Sequence, residues 1–152
     1  MKHQTIKHTR LLALMALLSF VLVSCKKKDE KPEPPTITFK SISHDNVEQF
    51  NNTVSITFSY EDYQGDLGEA DPDAYSVRVK DDRLADYDWY HVPPMTPELK
   101  ELHIKGDYAL ELSPLFILGN GSEEQTHFSL QIKDRAGNWS NTITTPVVII
   151  HD

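Results

Sequence analysis

The sequence predicts an all-β domain, a two-sheet sandwich of about seven strands. Two observations predict it. Apolar residues alternate with polar ones in several short stretches, which is the period of a half-buried strand. Turn-forming Gly, Asn and Pro residues separate these stretches, and no sustained apolar stripe at helical spacing follows residue 25. About seven short strands in roughly 117 residues (36–152) indicate a sandwich of immunoglobulin (Ig) or fibronectin type III style.

The clearest strand is 54–60, where apolar residues alternate with small polar ones. The other predicted strands are carried by Ile37, Phe39 and Ile42 with a slip between the last two, by Tyr75, Val77 and Val79, by Tyr108, Leu110 and Leu112, by Phe128, Leu130 and Ile132, by Ile143 with 147–150, and by the weaker segment 89–92. Short helical turns are expected at 97–103 and 113–118.

The first 24 residues have the pattern of an export signal. Three basic residues precede the apolar run 11–23. At about 1.5 Å per helical residue the run extends roughly 20 Å, which is short for a hydrocarbon core of about 30 Å. We therefore expect residues 1–24 to be removed.

The segment Leu22-Val23-Ser24-Cys25 resembles the lipobox of bacterial lipoproteins, in which a small residue precedes the lipidated cysteine. Cys25 is the only cysteine, so a disulfide within one chain is impossible. The resemblance implies lipidation of Cys25 and a membrane anchor, since two or more acyl chains hold a protein stably.

Residues 25–35 are predicted to be a lipidated, Pro- and Lys-rich stalk. The charged segment 26–31 resembles the lysine-plus-acid signal that takes Bacteroidota lipoproteins to the outer face of the outer membrane. The implied location is the outer membrane, exposed at the cell surface, with a periplasm-facing domain as the alternative. A plain solvated spacer of mixed charge is the other interpretation of this segment.

The chain beyond the signal is acidic. Removing three basic residues leaves 12 of them against 23 acidic ones, a net charge of −11. Nucleic-acid binding relies on Lys and Arg neutralising phosphates, so this class of partner is excluded.

The segment 131–141, with Asp134 and Ala136-Gly137-Asn138, resembles the last hairpin of bacterial Ig-like domains. Gly137 and Asn138 tolerate the positive φ of a tight turn, and Asp134 can accept turn amide hydrogen bonds. Together with the lipobox, the chain resembles Bacteroidota lipoproteins that carry a single Ig-like domain, here residues 36–152.

The segment 61–73, here called the acidic loop, holds six carboxylates. It resembles an Asp-Gly-Asp-x-Gly motif of similar lipoproteins, with Gln64 replacing the first Asp. Such a loop could wrap Ca²⁺, which takes six to eight oxygens, and calcium is the one candidate cofactor. The candidate ligands are Asp62, Asp66, Glu69, Asp71 and Asp73. The alternative is a solvated turn whose Asp and Gly residues satisfy the backbone.

Aromatic residues supply the second candidate site. Trp89 and Tyr90 lie close to several prolines, and Trp139 follows in a distant loop. If exposed, they could stack on a sugar ring or anchor a partner protein. In a sandwich such residues more commonly fill or cap the core.

Catalytic signatures are missing: the histidines lack metal-site spacing, and no Gly-x-Ser-x-Gly or phosphate-binding glycine loop occurs. We expect no enzyme activity. The predicted function is a membrane-anchored binding or scaffold module with a protein or glycan ligand. The alternatives are a small hydrolase using acids of the acidic loop, such as Asp62, Asp66 and Glu69, and a purely structural envelope component.

Overall fold

The computed structural model describes residues 33–96 and 102–152. The predicted signal, the lipidation of Cys25, the stalk up to residue 32 and part of the expected turn at 97–103 lie outside these residues. A compact unit spans 32–152. Its ten strands are β1 (Thr36–Ile42), β2 (Asn46–Glu48), β3 (Ser55–Asp62), β4 (Val77–Asp81), β5 (Asp88–Tyr90), β6 (Ile104–Glu111), β7 (Glu123–Thr126), β8 (Phe128–Ile132), β9 (Ile143–Thr144) and β10 (Val148–His151).

The described residues contain no helix, so the all-β prediction is confirmed. None of them forms a helix long and apolar enough to cross a membrane. The expected helical turn at 113–118 is wrong, because this segment is irregular. Tyr75 is exposed and lies outside β4.

The strands form three sheets, ordered β1-β3-β6, β5-β4-β8-β9 and β2-β10-β7. Neighbours are antiparallel except β2 and β10, which are parallel. The predicted slip in β1 is confirmed, since its register with β3 shifts between Phe39 and Ser41.

All three sheets contribute to one hydrophobic core, as in a β-sandwich. Alternate residues of β3, β4 and β8 are buried, for example Ile56 and Phe58 in β3 and Leu130 in β8. In β4 and β8 the apolar residues face this core, and the residues between them face outward. Only the outward-facing side chains of these strands can therefore form a surface site.

Candidate functional site

The outward side of β4, β5 and β8 carries a cluster of aromatic and cationic side chains, here called the aromatic face. Its members are Arg78, Lys80, Tyr87, Trp89, Lys133 and Trp139. Arg78 of β4 is opposite Trp89 of β5 on one side and Gln131 of β8 on the other. An isolated β-bridge between Lys133 and Trp139 places Trp139 beside this sheet. The sheet register thus brings together residues far apart in sequence.

Cations and rings alternate across this face. The guanidinium carbon of Arg78 lies 4.2 Å from the Trp139 ring centroid and 4.8 Å from that of Tyr87. The Lys133 ammonium lies 5.5 Å from the Trp139 centroid, and that of Lys80 lies 5.4 Å from Tyr87. All four distances are within the range of cation–π attraction, about 6 Å. Each pair adds order to side chains that would otherwise be mobile at a surface.

Arg78 is further fixed by the neighbouring strand. Its Nε and Nη2 donate to Oε1 of Gln131 at 3.1 and 2.7 Å. The Gln131 Nε2 in turn donates to the Ser140 carbonyl at 2.9 Å. The guanidinium is therefore held in place by a two-donor contact that Lys cannot reproduce.

Trp89 is the outermost ring of the aromatic face and remains 46% exposed. It meets Trp139 edge-on, with centroids 6.0 Å apart, and Tyr87 at 6.4 Å in a tilted arrangement. Edge-to-face contacts of this kind are favourable and hold a ring in place. Among the described cations, none lies over the Trp89 ring.

The aromatic face has a local charge opposite to that of the chain. It concentrates three cations on a chain whose formal net charge is −8. Within the described residues, Arg78, Lys80 and Lys133 form no salt bridge. Their charge is therefore not neutralised by a described carboxylate in contact.

Of the predicted aromatic site, the structure brings together Trp89 and Trp139 but not Tyr90. Tyr90 follows Trp89 on β5, so its side chain turns to the other side, packs against the core and accepts a hydrogen bond from the Ser113 amide at 3.3 Å. Tyr90 is therefore not part of the aromatic face. The cations of this face were not predicted from the sequence. Arg78 and Lys80 alternate with Val77, Val79 and Asp81, and this alternation was the signal that places their side chains on the outward side of β4.

The acidic loop has a different structure. Asp62 is completely buried, and its two oxygens accept the amides of Gln64 at 3.1 Å and Asp66 at 2.8 Å. Asp66 accepts the Ala136 amide at 3.2 Å, and its carbonyl accepts the Arg135 amide at 3.2 Å. These two carboxylates therefore serve the backbone of the loop and of the 134–138 turn.

Asp134 is the buried acid of that turn. It accepts the backbone amide of Asn138 at 2.7 Å and its side-chain amide at 2.9 Å, as predicted for a turn-forming acid. The positive φ falls on Gly137 at 91°, and Asn138 does not share it. Sequence reasoning did not place Asp134 beside the acidic loop.

Two glycines allow the acidic loop to pack closely. Gly68 has φ of 84°, and a Cβ there would lie 2.2 Å from the Pro93 carbonyl oxygen; Gly65, with φ of 68°, is equally close to the Leu102 oxygen. Both positions need a residue without a side chain. The turn around Gly65 is thus tightly packed.

Burial raises the pKa of Asp66, and the neighbouring charges of Asp134 and Asp62 raise it further. Its Oδ1 is buried without a hydrogen-bond partner. Repulsion among these carboxylates therefore opposes full ionisation of Asp66.

The other predicted calcium ligands point elsewhere. The carboxylate of Asp71 accepts the Asp73 amide at 3.0 Å in an exposed turn, while the Glu69 backbone amide donates to the Val92 carbonyl. Across the described ranges, no three His, Cys, Asp or Glu side chains are arranged to hold a metal ion.

A cleft of about 200 Å³ lies on the inner side of β4 and β5, with Tyr90 and Phe116 in its wall. Its cation is already paired, since Arg83 binds Asp81 and Glu124, each at 2.7 Å. This network joins the 81–83 turn to β7. The arrangement is typical of a structural ion-pair network.

The aromatic face thus combines an exposed ring, fixed cations and a rigid sheet beneath them. Such a surface can bind a ligand by stacking and by charge, and it has no nucleophile or paired acid at its centre. No protein-family model, curated protein or solved structure matches this chain.

Proposed function

We propose that this protein is a lipid-anchored component of the bacterial envelope whose single Ig-like domain is a non-enzymatic binding module. In this proposal the ligand binds at the aromatic face. The observation that carries it is Trp89, a large ring held at the surface between Tyr87 and Trp139 instead of in the core.

Strand order supports an Ig-like arrangement. The order β1-β3-β6 corresponds to strands A, B and E of an Ig-type sandwich, and β5-β4-β8-β9 to its C′, C, F and G strands. Only His127 separates β7 from β8, and three residues separate β9 from β10. If each pair is one bent strand, the second and third sheets become a single layer.

The sequence supports the anchor. Lys2, Lys7 and Arg10 precede an apolar run that ends at Ser24-Cys25, and the charged stalk follows. A lipid at Cys25 would place the domain at a membrane surface, and export to the outer face would present it to ligands outside the cell. The aromatic face lies on the folded unit and not on the stalk.

Site-specific photo-crosslinking in living cells tests the binding function. A benzophenone amino acid replaces Trp89 in one strain and Tyr63 in another. Tyr63 is a matched control, since it is an aromatic residue of the acidic loop that is 57% exposed. Benzophenone reacts with C–H bonds, so it captures protein and glycan partners alike.

The proposal predicts adducts of defined mass from position 89 and none from position 63. In parallel, a radioactive fatty acid fed to the cells should label the chain, and Cys25→Ser should abolish this labelling. Adducts from position 63 alone, or from neither position, would contradict binding at the aromatic face. An unlabelled chain, or equal labelling of Cys25→Ser, would contradict the anchor.

A further inference from the structure

The aromatic face has features that select among ligand chemistries. Two of its rings already have cations over them, since Arg78 lies between Trp139 and Tyr87. Trp89 is the exposed ring over which no described cation lies, and it is therefore the ring that can stack on a ligand. A single flat platform suits one sugar or one planar group at a time.

The cations around Trp89 are held in place before a ligand arrives. Arg78 is fixed by two rings and by Gln131, while Lys80 donates to the Ala85 carbonyl and lies over Tyr87. Preorganised charges lose little entropy on binding, so an anion placed beside Trp89 gains most of the available attraction. The complementary ligand is anionic.

Hydroxyl-rich ligands find hydrogen-bonding groups on the same side of the sheet. Ser129 and Thr144 face outward on adjacent strands with their hydroxyls 3.2 Å apart. Small neutral donors and acceptors of this kind match sugar hydroxyls.

Nucleic acids also combine rings with negative charge, but they suit this protein less. Single-stranded DNA delivers a phosphate with every base, and proteins that bind it present a long positive groove. Here the face presents three described cations and one exposed ring without a cation over it, which is a compact patch and not a long positive groove.

We infer that the aromatic face binds an acidic polysaccharide, with Trp89 stacking on a sugar ring and with Arg78, Lys80 and Lys133 attracting its carboxylate or sulfate groups. This inference rests on the proposed binding function and specifies its ligand class. It makes Lys80 and Lys133 determinants of specificity for charged over neutral sugars.

The two tryptophans of the sequence, Trp89 and Trp139, both belong to the aromatic face, so tryptophan fluorescence, excited where the six tyrosines do not absorb, reports on this surface. The mature lipidated chain in mild detergent is titrated with polygalacturonate and chondroitin sulfate as anionic probes. Dextran serves as the neutral sugar and oligo(dT) as the nucleic acid.

The inference predicts a saturable fluorescence change with at least one anionic polysaccharide and none with dextran. Release of counterions from about three charges should weaken binding roughly twentyfold or more between 50 and 200 mM salt. The double variant Lys80→Gln/Lys133→Gln should weaken it about tenfold or more, because two of the three cations are lost. Lys40→Gln, which removes an exposed lysine of β1, should leave it unchanged.

Equal binding of dextran, tighter binding of oligo(dT), or no change with either anionic polysaccharide would overturn the inference. So would equal effects of the double variant and Lys40→Gln. Failure here is distinguishable from failure of the proposed function: crosslinks from position 89 to a protein would support a binding module and overturn only its polysaccharide specificity.

Discussion

The acidic loop and the aromatic face differ in the direction in which their functional groups point. In the acidic loop, Asp62 turns inward and both of its oxygens accept backbone amides. In the aromatic face, Trp89 turns outward and nearly half of its surface remains exposed. Carboxylates that are close together in the sequence can thus be occupied by hydrogen bonds from the chain's own turns. Aromatic residues that are far apart in the sequence can lie together on one surface.

Among the substitutions that test this contrast, Asp62→Ala is expected to have the largest effect on stability. Two amides in a buried turn would lose a charged acceptor, which should lower the free energy of unfolding by about 3 kcal/mol. Urea denaturation of the unlipidated Cys25→Ser chain measures this. Asp73→Ala is the control, because its exposed carboxylate accepts no hydrogen bond from a described residue, and its effect should stay within about 0.5 kcal/mol. Equal effects would show that Asp62 is not a structural acid.

A smaller effect distinguishes a partly buried acid, Asp66, from a buried one, Asp81, by the sign of their pH dependence. The pKa of Asp66 is raised by burial and then by the charges of Asp134 and Asp62. Burial also raises that of Asp81, but hydrogen bonds from Arg83 and Thr126 outweigh it, and the net pKa is lowered. A raised folded-state pKa means that stability is lost as pH rises from the unfolded value of 3.8 through the folded one. A lowered pKa means that stability is lost as pH falls through the folded value.

The stability of Asp66→Asn relative to the unchanged chain should therefore be higher at pH 6.5 than at pH 3. The stability of Asp81→Asn relative to the unchanged chain should be lower at pH 6.5 than at pH 3. Thermal unfolding at the two pH values measures both differences. The same sign for both variants would contradict the opposite environments assigned to these carboxyls.

The sequence predicts the parts of the fold in which side-chain alternation is long. Strands β3 and β8 follow directly from alternating apolar residues. Strands β2 (Asn46–Glu48) and β7 (Glu123–Thr126) were missed, because three or four mostly polar residues have no detectable period. Their pairing with β10 depends on the tertiary fold and not on local sequence.

The candidate site was predictable only in part for the same reason. Trp89 and Trp139 are individually visible in the sequence, but their contact depends on the register that places β5 beside β4 and β4 beside β8. Tyr90 looks equivalent to Trp89 in the sequence, and the strand pleat sends it to the other side. Burial of Asp62 is also invisible in the sequence, since an Asp side chain is rarely fully buried.

The measurement that tests this contrast most directly is thermal unfolding of the Cys25→Ser chain in EDTA, in millimolar Ca²⁺ and in polygalacturonate. A ligand that binds only the folded state must raise the unfolding temperature. The account predicts a rise with polygalacturonate and the same unfolding temperature in Ca²⁺ as in EDTA. A rise of several degrees with Ca²⁺, lost in Asp66→Ala, together with no effect of polygalacturonate, would contradict it and make the acidic loop the binding site.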